Sequence, residues 1–331
     1  MGNLPVETIY FGGGTPSQLP ATAFEKIFAA VGTSVVTPSE AQQPFPSPEI
    51  TLEANPDDLT DACLDSLCAL PFNRLSIGIQ SFDAAELRFL HRRHDAQAAV
   101  EAVERAQRYG FDNISIDLMY GLPHQTLATW QATLDQAIRL GVQHISAYHL
   151  IYEAGTRLHQ WLKQGKIAPL DEETSLKMFE MLIDTLAEAG FRQYEISNFA
   201  LPGRESRHNS AYWSGRHYLG IGAAAHSYNG ISRQWNAAIP TAEYLNHAPE
   251  IEFLDETTVY NDFIITRLRT MRGINLNELT ALCGEQQKNT CLQQAQRYLD
   301  SGRLTLTEDS HLRLTRAGIF ISDGIMADLM R

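Results

Sequence analysis

The sequence predicts an α/β fold, a parallel sheet wrapped by helices, followed by a small helical domain of winged-helix type. Three observations predict it. Short apolar runs alternate with amphipathic helical stretches from Thr8 to Ile196, the pattern of right-handed βαβ units. Glycines punctuate the ends of the helical stretches at Gly110, Gly141 and Gly190, where a left-handed residue ends a helix at no steric cost. Beyond Thr241 the alternation stops, and successive helices lead into a short hairpin.

Thr8 to Phe11 is the first apolar run, and it ends at Gly12-Gly13-Gly14-Thr15-Pro16. Ala21 to Val31 reads as a helix, and the Pro/Ser/Gln-rich stretch from Gly32 to Pro48 as a surface loop. Strands follow at Glu49–Glu53, Arg74–Ile79, Ile114–Met119, Val142–Leu150 and Gln193–Ile196, the last of the series. Between them lie helices at Asp57–Leu70, Ala84–Leu90, Asp95–Tyr109, Thr126–Leu140 and Ser175–Ala189, with Asp95 placed as an N-cap. The sheet is either open or curled into a barrel. Helices at Thr257–Thr270, Leu276–Leu282 and Gln286–Asp300 precede a two-stranded wing, Arg303–Leu306 with Leu312–Leu314, and Thr315 caps a final helix. Three regions result: a barrel over 1–198, a linking region over 199–240, and a C-terminal domain over 241–331.

Composition narrows the class. The 331 residues are 44% hydrophobic and 20% charged, ordinary for a globular chain. No apolar run approaches the roughly 18 residues that a membrane span needs, and no basic-then-apolar leader opens the chain, so a cytoplasmic location is expected; peripheral membrane association stays open. A net charge of -13 argues against a nucleic-acid partner held through phosphates. Cys63 and Cys68 are five apart, and neither they nor Cys283 and Cys291 follow a zinc or iron–sulfur spacing. All four read as reduced, structural cysteines.

The glycine triplet lets the backbone turn sharply and approach a ligand closely; alone, it reads equally well as a bare strand-to-helix turn. The strand ends add to it. Glu53-Ala54-Asn55-Pro56, Gln80-Ser81-Phe82, Asp117 within an apolar run, and Tyr148-His149 each put polar groups toward the carboxyl end of a strand. Ligands of α/β folds bind at those ends. Carboxylates and amides there suit hydroxyls, a ribose or an amino group, and an unpaired buried carboxylate such as Asp117 costs several kcal/mol, which is hard to explain without a partner.

Together with Leu90-His91-Arg92-Arg93-His94 and Tyr120-Gly121-Leu122-Pro123, these strings resemble, in order and over nearly the whole chain, the radical S-adenosylmethionine (SAM) proteins of the oxygen-independent coproporphyrinogen III oxidase group. His208-Asn209-Ser210-Ala211-Tyr212-Trp213 and Gly220-Ile221-Gly222-Ala223-Ala224-Ala225-His226 resemble the HemW, haem chaperone branch of that group. The resemblance implies a partial (β/α)6 barrel with SAM across the strand ends. Gly13, Gly14 and Thr15 would take the methionyl amino group, Arg92 its carboxylate, and Glu53, Gln80 and Asp117 the ribose and its surroundings. The residues alone do not separate Arg92 from Arg93; the family spacing selects Arg92.

The resemblance also implies a [4Fe-4S] cluster on Cys-x3-Cys-x2-Cys, and no such motif occurs in this sequence. The family places it just before the glycine loop, so the expectation is a chain lacking that first strand and its cluster ligands, by truncation rather than degeneration. His208 and Tyr212, four apart, would share a helix face. His208 is then a candidate haem iron ligand, with Tyr212 and Trp213 against the porphyrin; the other reading is a loop histidine beside core aromatics. His226 and His149 are weaker ligand candidates. The expected cofactors are SAM and haem, and the expected partners haem-acceptor proteins. Three functions compete: a haem chaperone on a radical SAM scaffold, an oxygen-independent coproporphyrinogen III oxidase, and a cluster-free barrel that binds SAM or another nucleoside. The absent cysteines count against radical catalysis by this polypeptide, so enzymatic activity stays open.

Overall fold

Five short runs with apolar residues at every second position form the spine of the sheet: β1 (Thr8–Phe11), β2 (Glu49–Ala54), β3 (Arg74–Gln80), β4 (Ile114–Tyr120) and β5 (His144–His149). Each pairs in parallel with the next. The computed structural model describes residues 6–32, 47–239 and 241–331; residues 33–46 of the stretch read as a surface loop lie outside the described residues. By contacts the chain forms two bodies. One holds the described residues up to Gln193 together with Ser197–His208, and the other holds Tyr194–Ile196 and Asn209–Arg331.

The sheet departs from a purely parallel one at its end. β6 (Arg192–Glu195) and β7 (Asn198–Ala200) extend it in the order β1-β2-β3-β4-β5-β7-β6. β7 runs antiparallel to β5, so the expected last strand lies outside an inserted one. Three residues are too few to show a period, and a two-residue turn permits only an antiparallel return.

Alternation gives the sheet two unlike faces. One is apolar: Leu52, Leu75, Ile77, Ile116, Leu118 and Ile145 are fully buried. The helices that follow its strands are α1 (Ala21–Val31), α2 (Asp61–Cys68), α3 (Ala84–Phe89), α4 (Ala96–Arg108), α5 (Leu127–Arg139) and α7 (Glu172–Glu188), with the short α6 (Arg157–Lys163) between β5 and α7. Tyr120 on this face meets Trp130 of α5 and Phe179 of α7 at ring separations of 5.5 and 6.3 Å. Phe11 meets Phe24, Phe28 and Phe72 at ring separations of 5.3–5.4 Å. Each such side chain contributes about 1.5–3 kcal/mol of burial. Helix starts are fixed by side-chain caps: Asp95 accepts from the Ala98 N–H at 2.8 Å, and Asp171 from the Thr174 N–H at 2.8 Å. The other face, the inner face of the half-barrel, is polar. Register sets Thr51 beside Arg74, Ser76 beside Ser115, and Asp117 beside Ser146.

The second body contains an antiparallel sheet of β8 (His226–Tyr228), β9 (Ser232–Trp235) and β10 (Glu250–Phe253), which the sequence reading did not anticipate. Helices α9 (Glu256–Leu268), α10 (Leu276–Cys283) and α11 (Glu285–Asp300) then pack on a wing. The wing has three strands rather than two: β11 (Ile274–Asn275) joins β13 (His311–Leu314), which pairs with β12 (Leu304–Leu306). Two residues carry no periodic signal, which is why β11 escaped the sequence. The chain closes with α12 (Arg316–Ile319) and α13 (Ser322–Leu329). Tyr260, fully buried, donates to the Leu329 carbonyl at 3.0 Å and ties this last helix to α9. Among the described residues no helix is long and apolar enough to cross a membrane.

Candidate functional site

At the carboxyl end of β1 the backbone runs against Glu53. A Cβ on Gly12 would lie 2.5 Å from the Tyr10 ring and 2.8 Å from Glu53 Oε1, so only glycine fits. Gly13 and Gly14 follow with φ of +78° and +71°, the left-handed region that glycine enters freely. The Gly13 N–H donates to Glu53 Oε2 at 3.1 Å, and the Tyr10 hydroxyl donates to Oε1 at 2.7 Å. Both oxygens of Glu53 are thereby held. Burial first, and then the Glu53 charge, push the Tyr10 phenol far above its ordinary range, so it remains a donor. Thr15 precedes a short 3-10 turn, Pro16–Gln18, and its carbonyl accepts from the Gln18 N–H at 3.1 Å.

Next to it, β3 ends irregularly. Its pairing with β4 shifts between Ile77 and Gln80, and Gln80 takes φ of +72°, costly for a residue with a side chain. The Gln80 amide nitrogen and Arg92 Nη2 both crowd over Gly78, 3.1 and 3.0 Å from where its Cβ would stand. Arg92 Nη2 donates to Asn55 Oδ1 at 2.9 Å and to the Gly78 carbonyl at 2.7 Å. Half-buried, Arg92 has its pKa lowered by desolvation. Arg93 turns outward instead, to Asp57 at 3.2 Å and Asp58 at 3.3 Å. The structure thus separates two arginines that the residues alone leave equivalent.

Asp117 lies deeper on the inner face, retaining a little accessibility. Burial, assisted by the Glu53 charge, raises its carboxyl to about 6, against the hydroxyls of Ser146 and Ser76 and the charge of Arg74. Of the strand-end residues read from the sequence, Glu53, Gln80 and Asp117 face inward together with the glycine loop and Arg92. His149 does not. It bonds the Leu150 carbonyl at 3.0 Å and Ser175 of α7 at 3.2 Å, on the helix side; alternation puts Tyr148 on the inner face in its place. The sequence reading gave no role to Tyr10, which lies on the inner face of β1 three residues before Gly13, or to Asn55, which follows β2 directly.

His208 sits at the opposite end of the strands, on α8 (Arg207–Trp213). Its Nδ1 is 3.0 Å from the Thr8 hydroxyl, and its ring stacks on Tyr10 with centroids 4.6 Å apart. Glu49 accepts the first N–H groups of the helix, Arg207 at 3.1 Å and His208 at 3.0 Å. Desolvation, with the Arg74 charge and against that of Glu49, lowers the imidazole to about 4. His208 belongs to the half-barrel body, and Tyr212 and Trp213 to the second. There Tyr212 packs on Tyr218 at 4.5 Å, and Trp213 lies under the Arg269 guanidinium at 4.6 Å. Arg269 is itself paired at 2.7 Å with Glu195, which is fully buried. His226 stacks on Trp235 at 5.8 Å.

The Cys-x3-Cys-x2-Cys motif that the resemblance implies for a [4Fe-4S] cluster does not occur in this sequence. Cys63 and Cys68 lie on α2, Cys283 and Cys291 in the second body. No group of three or more His, Cys, Asp or Glu among the described residues is placed to hold a metal.

Residues 1–137 match the radical SAM superfamily and residues 254–321 the HemN C-terminal domain. A heme chaperone HemW from Mycobacterium tuberculosis is 32% identical over 98% of this chain and 81% of its own length. One from Lactococcus lactis is 37% identical over 76% of this chain, and the matched stretch spans 64% of that relative's length. Among solved structures, the coproporphyrinogen III oxidase HemN of Escherichia coli superposes with a TM-score of 0.77 at 21% identity, covering 98% of this chain and 78% of that one; it shares the fold. With a half-barrel that superposes on HemN, both family regions in order, and a relative matched almost end to end, the chain belongs to the HemW/HemN-like radical SAM family.

Proposed function

We propose that this protein is a haem chaperone on a SAM-binding half-barrel: it binds haem and passes it to acceptor proteins, in the cytoplasm. The observation that carries the reading is the 32% identity over 98% of the chain to a relative named as a heme chaperone. Two features of the molecule support it. The first is the inner-face group. Gly13, Gly14 and Thr15 form a backbone cradle, Arg92 offers a guanidinium fork suited to a carboxylate, and Glu53, Gln80 and Asp117 offer acceptors and an amide for a ribose; these residues would hold SAM. The second is His208. Iron takes a neutral imidazole, and a pKa near 4 keeps His208 neutral down to acid pH. Tyr212 and Trp213 belong to the second body, so the haem reading rests on His208. A bound cluster would supply electrons for radical cleavage of SAM, but this sequence carries no Cys-x3-Cys-x2-Cys to hold one, and the reading assigns its residues no radical step. The resemblance to HemN is one of fold and does not favour the oxidase alternative.

Haem titration followed in the Soret band tests the reading. Wild-type protein is expected to give a saturable shift, and His208→Ala to weaken binding by about tenfold or more, the loss of roughly 1.4 kcal/mol or more. Equal affinity in the variant removes His208 from the haem site, and absence of any saturable shift in the wild type overturns the chaperone reading.

A further inference from the structure

Gln80 is held in a left-handed conformation at the last residue of β3, directly after the irregularity at which the pairing with β4 shifts from Ile77–Ile116 to Gln80–Leu118, so its backbone departs from that of a regular strand. Such a conformation persists only where the surroundings over-determine it. Those surroundings centre on Glu86. Ser81, the next residue and fully buried, donates its hydroxyl to Glu86 Oε2 at 2.6 Å and accepts the Asp83 N–H at 2.9 Å. The same carboxylate oxygen accepts from the Gln125 amide at 3.0 Å, and Oε1 accepts from the Thr129 hydroxyl at 3.0 Å. Gln125 in turn accepts the Leu122 N–H at 3.3 Å. One carboxylate, 6% exposed, thus joins the end of β3, the first turn of α3, the loop after β4 and the start of α5. Among the described residues its hydrogen-bonding partners are three neutral donors, and burial raises its pKa. An ionisable group at such a position costs more than an apolar one unless its hydrogen bonds serve a purpose.

We propose that Glu86 is a positioning residue for the nucleoside site: through Ser81 it holds Gln80 in the left-handed conformation that lays its amide over Gly78 beside Arg92. The inference rests on the SAM-site reading above and goes beyond it, since the hydrogen bonds of Glu86 go to Ser81, Gln125 and Thr129, none of which belongs to that site.

Calorimetric SAM titration of the full chain in a double-mutant cycle tests it. Glu86→Gln keeps the size of the side chain but sets an amide against donors from Ser81, Gln125 and Thr129. It is expected to weaken SAM binding roughly tenfold. Gln80→Gly removes the side chain and also the conformational strain, so adding Glu86→Gln to it is expected to change affinity by less than about twofold. Ser81→Ala, which deletes the link while leaving the rest of the network, is expected to follow Glu86→Gln and serves if that variant does not fold. Wild-type affinity in Glu86→Gln or Ser81→Ala overturns the proposal, as does a full additional loss in the double variant. A wild-type chain that binds no SAM overturns the site reading and this inference together, whereas wild-type binding with indifferent variants overturns this inference alone.

Discussion

Tyr10 and His208 stack at 4.6 Å while the Tyr10 hydroxyl donates to Glu53 at 2.7 Å, so a single side chain spans the two ends of the half-barrel. One of its faces supports the histidine expected to meet haem, and its far tip supports the carboxylate expected to meet SAM. Tyr10→Phe separates these contributions, because it keeps the stacked ring and deletes the donor. Leaving Glu53 Oε1 short of a partner is expected to cost about 1–3 kcal/mol in urea denaturation. A loss below about 0.5 kcal/mol would show that water replaces the hydroxyl.

Gly12 and Gly14 are expected to respond differently to the same added methyl group. At Gly14 nothing lies within 4 Å of the new Cβ, so alanine there costs only the left-handed backbone, roughly 1 kcal/mol. At Gly12 the methyl meets Tyr10 and Glu53 at 2.5 and 2.8 Å, and overpacking of this kind costs about 1–3 kcal/mol with displacement of the ring. Thermal melts of the two variants should rank Gly12→Ala below Gly14→Ala; the reverse order would show that the loop yields and Glu53 swings aside.

Asp117 and His208 give opposite pH signatures. The Asp117 carboxyl rises from 3.8 to about 6 on folding, so between those values the native state binds more protons, and stability falls as pH rises. The His208 imidazole drops from 6.5 to about 4, so the unfolded state binds more protons in that window, and stability rises with pH. Each shift of about two units is worth roughly 3 kcal/mol. Relative to wild type, Asp117→Asn is expected to gain stability steadily from pH 4 to 6.5, and His208→Gln to lose relative stability over the same range. Denaturation midpoints measured across that range check the pair. Parallel rather than diverging differences would show that these groups do not carry the shifts.

The half-barrel was legible because its signal is periodic: in five strands of four to seven residues an apolar residue recurs at every second position, and most of the inner face can be counted off two by two. What escaped was short or antiparallel. Asn198–Ala200 and Ile274–Asn275 hold too few residues for a period, and β8 to β10 are only three or four residues each. Within the site, Gly12, Glu53 and Asp117 stood out because glycine triplets and carboxylates in apolar runs are locally anomalous. Tyr10 and Asn55 did not, since a tyrosine in a strand and an asparagine before proline are ordinary; only the closeness of strands in space gives them partners. Arg92 and Arg93 differ in no property but direction, which the turn after α3 decides, with His91 in the left-handed region at φ of +52°.

The unlike faces of the seven-stranded sheet divide the chain's sensitivity to mutation. The leucines and isoleucines against the helices secure the fold, so changes there are paid for in folded protein. The hydroxyls, carboxylates and imidazoles of the inner face add little hydrophobic stabilisation, and many of them can change while the scaffold stands. Adjacent positions in a single strand, such as Leu52 and Glu53, therefore answer to separate pressures, one on abundance and the other on what the protein recognises. A fold arranged in this way can exchange its ligand chemistry while keeping its architecture.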